Sequence, residues 1–317
     1  MDGTTDDLPV RYIDRTHAWY DALGTNNRYR YAFHREVPFT ALRVPLARST
    51  VALITTAAPY RPDRGKQGAG APYNASAKFY EVYSGDTALE HDLRVSHVAV
   101  NQRELTDDPA CWFPLPALRH ALAAGRIGAI APRFHGMPTN RSQRHTTTVD
   151  CPELLARCRE DQVDCAILVA NCPVCHQTLS LAARHLEAAG IATVVMGAAK
   201  DIVESCGVAR FVFSDFPLGN AAARPHDPAS QDSTLGLALD LLERAFAPRT
   251  TVKNPLVWNG RPDWKRHVLD VASLTPERLA QLRADLQSSR SIAHAVRDRS
   301  LGASPDGATP GHVVDRP

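Results

Sequence analysis

The sequence predicts an α/β fold, parallel sheet flanked by helices, arranged as two doubly wound lobes with a disordered C-terminal tail. Three observations carry this expectation. Short apolar runs bounded by Gly, Pro, Arg or Ser alternate with stretches of helical length. Those runs lack the polar/apolar alternation of a half-solvated strand, as expected for strands buried on both faces. The chain of 317 residues, 44% apolar and 22% charged, is long enough to cover such a sheet.

In order along the chain, residues 1–46 read as an N-terminal arm, a helix plus irregular chain with Trp19, Tyr20, Tyr29 and Tyr31. Residues 47–148 form the first lobe. It opens on the strand Val51–Thr56, passes a Gly/Pro/Asn loop over 61–77, continues in a strand at Phe79–Tyr83, and has a helix near Leu115–Ala124 stopped by Gly125. Residues 149–248 form the second lobe. Here a helix Pro152–Glu160 precedes a strand Val163–Ala170, a helix Pro173–Ala189 closed by Gly190, and a strand Ile191–Met196. A helix Lys200–Ser205, a strand Arg210–Phe213 and a helix Thr234–Phe246 complete it. Residues 249–317 read as a helical segment and a tail. Beyond about residue 289 Ser, Gly, Pro and Asp dominate, and disorder is expected.

Charge excludes some functions. With 36 basic against 34 acidic residues and a net charge of +2, the chain offers no general field for nucleic acid or a membrane surface. No run of about 18 apolar residues suggests a transmembrane helix. The aspartate-rich start has no signal-peptide core, so a cytoplasmic location is expected. The seven cysteines, an odd number, then read as reduced thiols.

The chemistry concentrates at Cys172-Pro-Val-Cys-His-Gln177, after the strand ending at Asn171. Cys172 falls at the helix N-cap and Pro173 at the first helical position, which tolerates a missing N–H. Cys175 lies three residues on, a spacing compatible with a disulfide, and begins the stripe Leu179, Ala182, Leu186, Ala189. Cys175 is therefore expected to be the more buried and Cys172 the more exposed. Free N–H groups and the helix dipole favour a thiolate at Cys172, and ligands of open α/β sheets bind at this edge. Other readings are two structural cysteines, a Cys-x-x-Cys-His haem attachment, or half of a zinc site completed by His176, Cys206 or His226. Haem attachment would need export and a pliable segment, and no second Cys pair supports zinc. Dithiol redox or nucleophilic chemistry remains the leading reading, with no metal.

The run Val163–Thr178 resembles the selenoprotein B type subunits of the glycine, sarcosine, betaine and D-proline reductases. In these a selenocysteine stands at a strand end and a cysteine follows three residues later. Ser49–Ala58, Leu93–His97, Gly125–Arg133, Ala189–Val195 and Asp215–Asn220 match in the same order, so the resemblance covers roughly residues 45–245. It implies reductive cleavage of a C–N bond in a small amine or amino-acid-like substrate. Cys172 would be the nucleophile, in place of selenocysteine, and Cys175 the resolving thiol. It implies no cofactor in this chain, and a pyruvoyl group on a partner subunit, or a redox partner. A homo-oligomer is left open.

Further candidates are weaker. Thr55 and Thr56 end the first strand and could bind a substrate carboxylate. His97 and Arg133 lie in family-like segments, Arg133 with a carboxylate-matching fork. His176 could act as acid or base from a position off the buried stripe. Gln177 and Asn220, the latter in Phe216-Pro-Leu-Gly-Asn220, complete the expected substrate-binding set. Two rival functions use the same cysteines: a non-catalytic subunit binding metal or a redox partner, and a cofactor-independent two-thiol racemase. Thr55 and Thr56, where a racemase would place its other cysteine, speak against the second.

Overall fold

A computed structural model describes residues 8–25, 29–95, 105–259 and 263–302. The elements are α1 Tyr12–Ala22, β1 Thr50–Thr55, β2 Ala58–Pro59, β3 Tyr83–Asp86, β4 Leu93–Arg94, α2 Leu115–Ala123, β5 Ala129–Ile130 and β6 Arg133–Gly136. A turn α3 Gln143–His145 then runs through a π-helical stretch Thr146–Asp150 into α4 Cys151–Glu160. After it come β7 Cys165–Val169, α5 Pro173–Ala188, β8 Ala192–Gly197, α6 Lys200–Cys206, β9 Arg210–Phe213, α7 Pro228–Arg244, β10 Thr250–Lys253 and α8 Pro276–Gly302.

The main sheet has the order β10-β9-β8-β7-β1-β6-β3, with β5 also on β1. All pairs are parallel except β3 with β6, so the sheet is mixed but mostly parallel. It is continuous across the expected lobe boundary at 148/149: β1 pairs with β7 from Val51↔Cys165 to Thr55↔Val169. The two stretches thus form one sheet, not two. The helices cover both of its faces. Val51, Leu53, Ile167, Val169, Val194 and Met196 pack into one cluster with Leu118 of α2 and Leu235 and Leu239 of α7. The alternate residues Ala52, Ile54, Ala166, Leu168 and Val195 pack with Leu154 of α4 and Leu179 and Leu186 of α5. This two-sided burial is why the strands read as continuous apolar runs.

Three expectations change. Phe79–Val82 is loop, and the strand starts at Tyr83: the Phe79 ring lies under the Arg61 guanidinium, 3.6 Å away, instead of facing a sheet neighbour. Helix α7 begins at Pro228, six residues early, because the Asp227 side chain caps it by accepting the Ser230 amide at 3.0 Å. Residues 289–302, expected to be disordered, belong to α8, which rests on the 75–77 turn region through Val296 and the Tyr80 hydroxyl bond to Ala293 O. The tail beyond 302 lies outside the described residues. Among those residues no helix is long and apolar enough to cross a membrane.

Strand order reverses at β1 and β7. The chain leaves β1 for α2 on one face and for β6, and leaves β7 for α5 on the other face and for β8. The crevice outside the carboxyl ends of these two strands is where such sheets bind ligands.

Candidate active site

Asn171 and Cys172 follow β7 into this crevice. Cys172 has an extended backbone (φ −138°, ψ 167°) and caps α5, its sulfur accepting the Cys175 amide at 3.1 Å, with Pro173 at the first helical position. The Cys172 and Cys175 sulfurs are joined in a disulfide, Cα–Cα 4.8 Å. The expected difference in exposure is absent, since Cys172 is 1% and Cys175 4% exposed. Both cysteines belong to the buried apolar cluster that also holds Leu218, Ala221 and Ala222 of the segment after β9. The other five thiols are buried and unbonded. Burial pushes Cys151, Cys158, Cys165 and Cys206 up to about 12, so none of these four is a thiolate at neutral pH.

His176 does not sit off the buried stripe. It is fully enclosed, because its Nε2 accepts the amides of Ala198 (2.8 Å) and Ala199 (3.1 Å) beyond β8. Nδ1 therefore carries the proton and donates to Cys172 O at 2.6 Å. Gly197 makes room: a Cβ there would stand 2.6 Å from the ring. His176 thus ties the cysteine-bearing turn to the end of β8. Burial pushes its pKa down to about 4, against an opposing hydrogen bond to Cys172, so the ring is neutral at physiological pH.

A pH prediction follows. Between about pH 6.5, the value of an exposed histidine, and pH 4, the unfolded chain binds a proton at His176 that the folded chain refuses. The stabilisation is complete above pH 6.5 and is lost as pH falls towards 4. His176→Asn should lower the urea midpoint at pH 7 and show a shallower decline from pH 7 to 5 than wild type. Parallel declines would place the titration elsewhere.

The remaining predicted residues divide. Thr56, half-buried after β1, accepts from Asn171 N (3.3 Å) and Nδ2 (3.2 Å) and so touches the cysteine turn. Thr55 is buried and donates to Trp112 O at 3.1 Å. Gln177 faces the arm: Oε1 accepts Ala32 N at 2.5 Å and Nε2 donates to the Tyr29 hydroxyl. Asn220 closes its own turn, Nδ2 donating to Pro217 O at 3.3 Å. Arg133 does not reach the crevice. It begins β6, three residues before the Gly136 that pairs with Thr55, and is held by Asp161 (2.9 Å) and Glu160 (2.9 Å). His97 lies outside the described residues.

Sequence reasoning missed Asn171 as a site residue. It is buried, and its Oδ1 has no hydrogen-bond partner among the described residues, one residue before Cys172. It also missed a cleft at the carboxyl ends of β1 and β6. Thr56, Lys78, Phe79, Tyr83, Arg94 and Thr139 are among the residues that line it. The irregular loop supplying Lys78 has no period to read. Gly136 was the available signal: a Cβ there would overlap the Tyr83 ring, which walls the cleft.

The chain is similar to D-proline reductase subunit gamma of Acetoanaerobium sticklandii, 29% identical over 195 residues, which are 61% of this chain and 78% of that protein. No family model matches the chain, and no solved structure matches it. The chain is thus a distant homologue of a subunit from the proline and glycine reductases. This homology does not single out the selenoprotein B type.

Proposed function

We propose that this chain is the thiol-bearing subunit of a reductase that cleaves a C–N bond in a small amino-acid-like substrate. One observation carries the reading: Cys172 and Cys175 stand within bonding distance at a helix N-terminus, in the crevice where the strand order reverses. The similarity to a D-proline reductase subunit directs it towards reductive chemistry and partner subunits. Thr55 ends β1 and Thr56 follows it, where a two-thiol racemase would need a cysteine.

In the reduced protein the Cys172 thiolate, stabilised by the first amides of α5, attacks the carbon α to the substrate carboxylate. A C–S bond forms, the C–N bond breaks, and the amine leaves with the electron pair and takes a proton. The Cys175 thiolate then attacks the Cys172 sulfur. The C–S bond breaks, the carbon keeps the pair and is protonated, and the disulfide forms. Substrate gains two electrons and the dithiol loses two, so an external dithiol donor must reset the pair. A pyruvoyl group on a partner subunit would supply activation of the amine. His176 acts as a positioning residue, holding the Cys172 carbonyl from a neutral ring.

Single turnover tests this. Pre-reduced chain freed of reductant, mixed with D-proline and a pyruvoyl-bearing partner subunit, should form up to one equivalent of ring-opened product per chain. The Cys172–Cys175 disulfide should appear in equal amount by peptide mapping. Product without disulfide, or disulfide without product, would overturn the dithiol as the electron source.

A further inference from the structure

We propose that the cleft at the carboxyl ends of β1 and β6 is the subsite for the carboxylate of a small α-amino acid, with Lys78 as its charge partner. This rests on the reductive reading above and gives that substrate's carboxylate a place in the fold. The cleft has no acidic side chain among its lining residues and two cations, Lys78 and Arg94. Arg94 is already occupied. Asp92 takes its Nε and one terminal nitrogen at 2.8 Å each, the other donates to Gln67 O at 3.1 Å, and the guanidinium lies 3.8 Å from the Tyr60 ring centre.

Lys78 is different. Its ammonium forms no hydrogen bond or ion pair among the described residues and only approaches the Tyr80 ring, 5.2 Å from its centre. Burial and then the repulsion of Arg141 push its pKa down to about 8. A half-buried ammonium opposed by both dehydration and a second cation is the group a bound carboxylate relieves most.

The cleft is built rather than incidental. Gln67 pins its own loop, accepting Arg61 N (3.1 Å) and donating to Arg61 O (2.6 Å) and Gly65 O (2.9 Å). The Tyr83 hydroxyl donates to Ala57 O at 2.5 Å, fixing the aromatic wall over Gly136. Its void of about 70 Å³ has room for the carboxylate end of a ligand. Thr56 joins it to the reaction centre, since this cleft residue is the hydrogen-bond partner of Asn171. Asn171 Oδ1, buried beside Cys172 and without a hydrogen-bond partner among the described residues, is an acceptor that a substrate N–H would satisfy once the substrate displaces its cover.

The five lysines, Lys66, Lys78, Lys200, Lys253 and Lys265, allow a direct test. Reduced full-length chain is acetylated with trace acetic anhydride, and each lysine is quantified by peptide mass spectrometry. The runs contain glycine, sarcosine or D-proline, or the corresponding methylamine, dimethylamine or pyrrolidine. At least one amino acid should slow labelling of Lys78 selectively, and its carboxyl-free counterpart should not. By calorimetry Lys78→Gln should weaken that amino acid by about 10- to 100-fold, the worth of one charge-assisted hydrogen bond. Lys78→Arg should retain most of the affinity, with unchanged thermal melting in both variants.

Protection of Lys78 by none of the amino acids, equal protection by phosphate, or wild-type affinity in Lys78→Gln would overturn the subsite. The two readings fail separately. Binding at Lys78 without single-turnover product leaves the cleft and removes the dithiol mechanism. Product without Lys78 protection does the reverse.

Discussion

Cys172→Ser should abolish both turnover and adduct formation, whereas Cys175→Ser should lose turnover but accumulate a substrate-derived fragment on Cys172. The asymmetry follows from position. The Cys172 sulfur lies at the N-cap and accepts the Cys175 amide at 3.1 Å, so a thiolate there is already solvated by the helix. A serine hydroxyl at the same place stays protonated without a strong base, and His176 cannot be that base. Its Nε2 is committed to Ala198 and Ala199 and its Nδ1 proton to Cys172 O. Activity of Cys172→Ser should therefore fall below about a thousandth of wild type. In Cys175→Ser the first attack proceeds, but the partner that Cys172 bonds is gone, and the other five thiols are buried and form no disulfide. Intact-mass measurement with substrate and the partner subunit reads both outcomes. Adduct on Cys175 in the Cys172→Ser protein would reverse the assignment, and full activity in both variants would leave the pair structural.

The strands and helices that hold this turn were legible because their burial is periodic. Arg210–Phe213 lies where the apolar run places it, and Pro173–Ala188 where Pro173 and the stripe from Cys175 place it. What escaped was decided by contacts distant in sequence. His176 looked like a surface residue because its neighbours on the stripe define only the side of α5 that meets the sheet. Its burial comes from Gly197 and two amides more than twenty residues away. The exposure of Cys172 was misjudged for the same reason: it is enclosed in a cluster whose members, such as Leu53, Leu218 and Ala222, come from far along the chain. Arg133 had the right chemistry for a carboxylate, but its partners Glu160 and Asp161 come from the end of α4. Lys78 lies in a loop whose shape depends on side-chain-to-backbone bonds, such as those of Gln67, that carry no repeating pattern.

The largest expected loss of stability comes from separating Glu187 and Arg210. Both side chains are fully buried and paired at 2.9 Å. Glu187 Oε1 also accepts Thr193 N (2.6 Å) and Thr193 Oγ1 (2.8 Å), while Oε2 accepts Thr40 N at 2.5 Å. Arg210 donates to Thr40 O at 2.8 Å and lies 4.4 Å from the Phe39 ring centre. The pair thereby fastens the N-terminal arm to α5, β8 and β9. Burial pushes the Glu187 carboxyl up and the Arg210 guanidinium down, and the attraction within the pair opposes both shifts. Arg210→Met or Glu187→Gln alone strands one charge in the interior and should cost about 3–5 kcal/mol. Glu187→Gln/Arg210→Met removes both charges and should cost less than the sum of the single changes, which urea unfolding of all four proteins would measure. The consequence reaches the dithiol, because α5 holds the arm at both ends: through Glu187 at Thr40, and through Gln177, two residues after Cys175, at Ala32. Hydrogen exchange in either single variant should therefore rise first in residues 29–40, ahead of the sheet. Additive single effects, or an arm as protected as in wild type, would mean that the apolar contacts hold it without the ion pair.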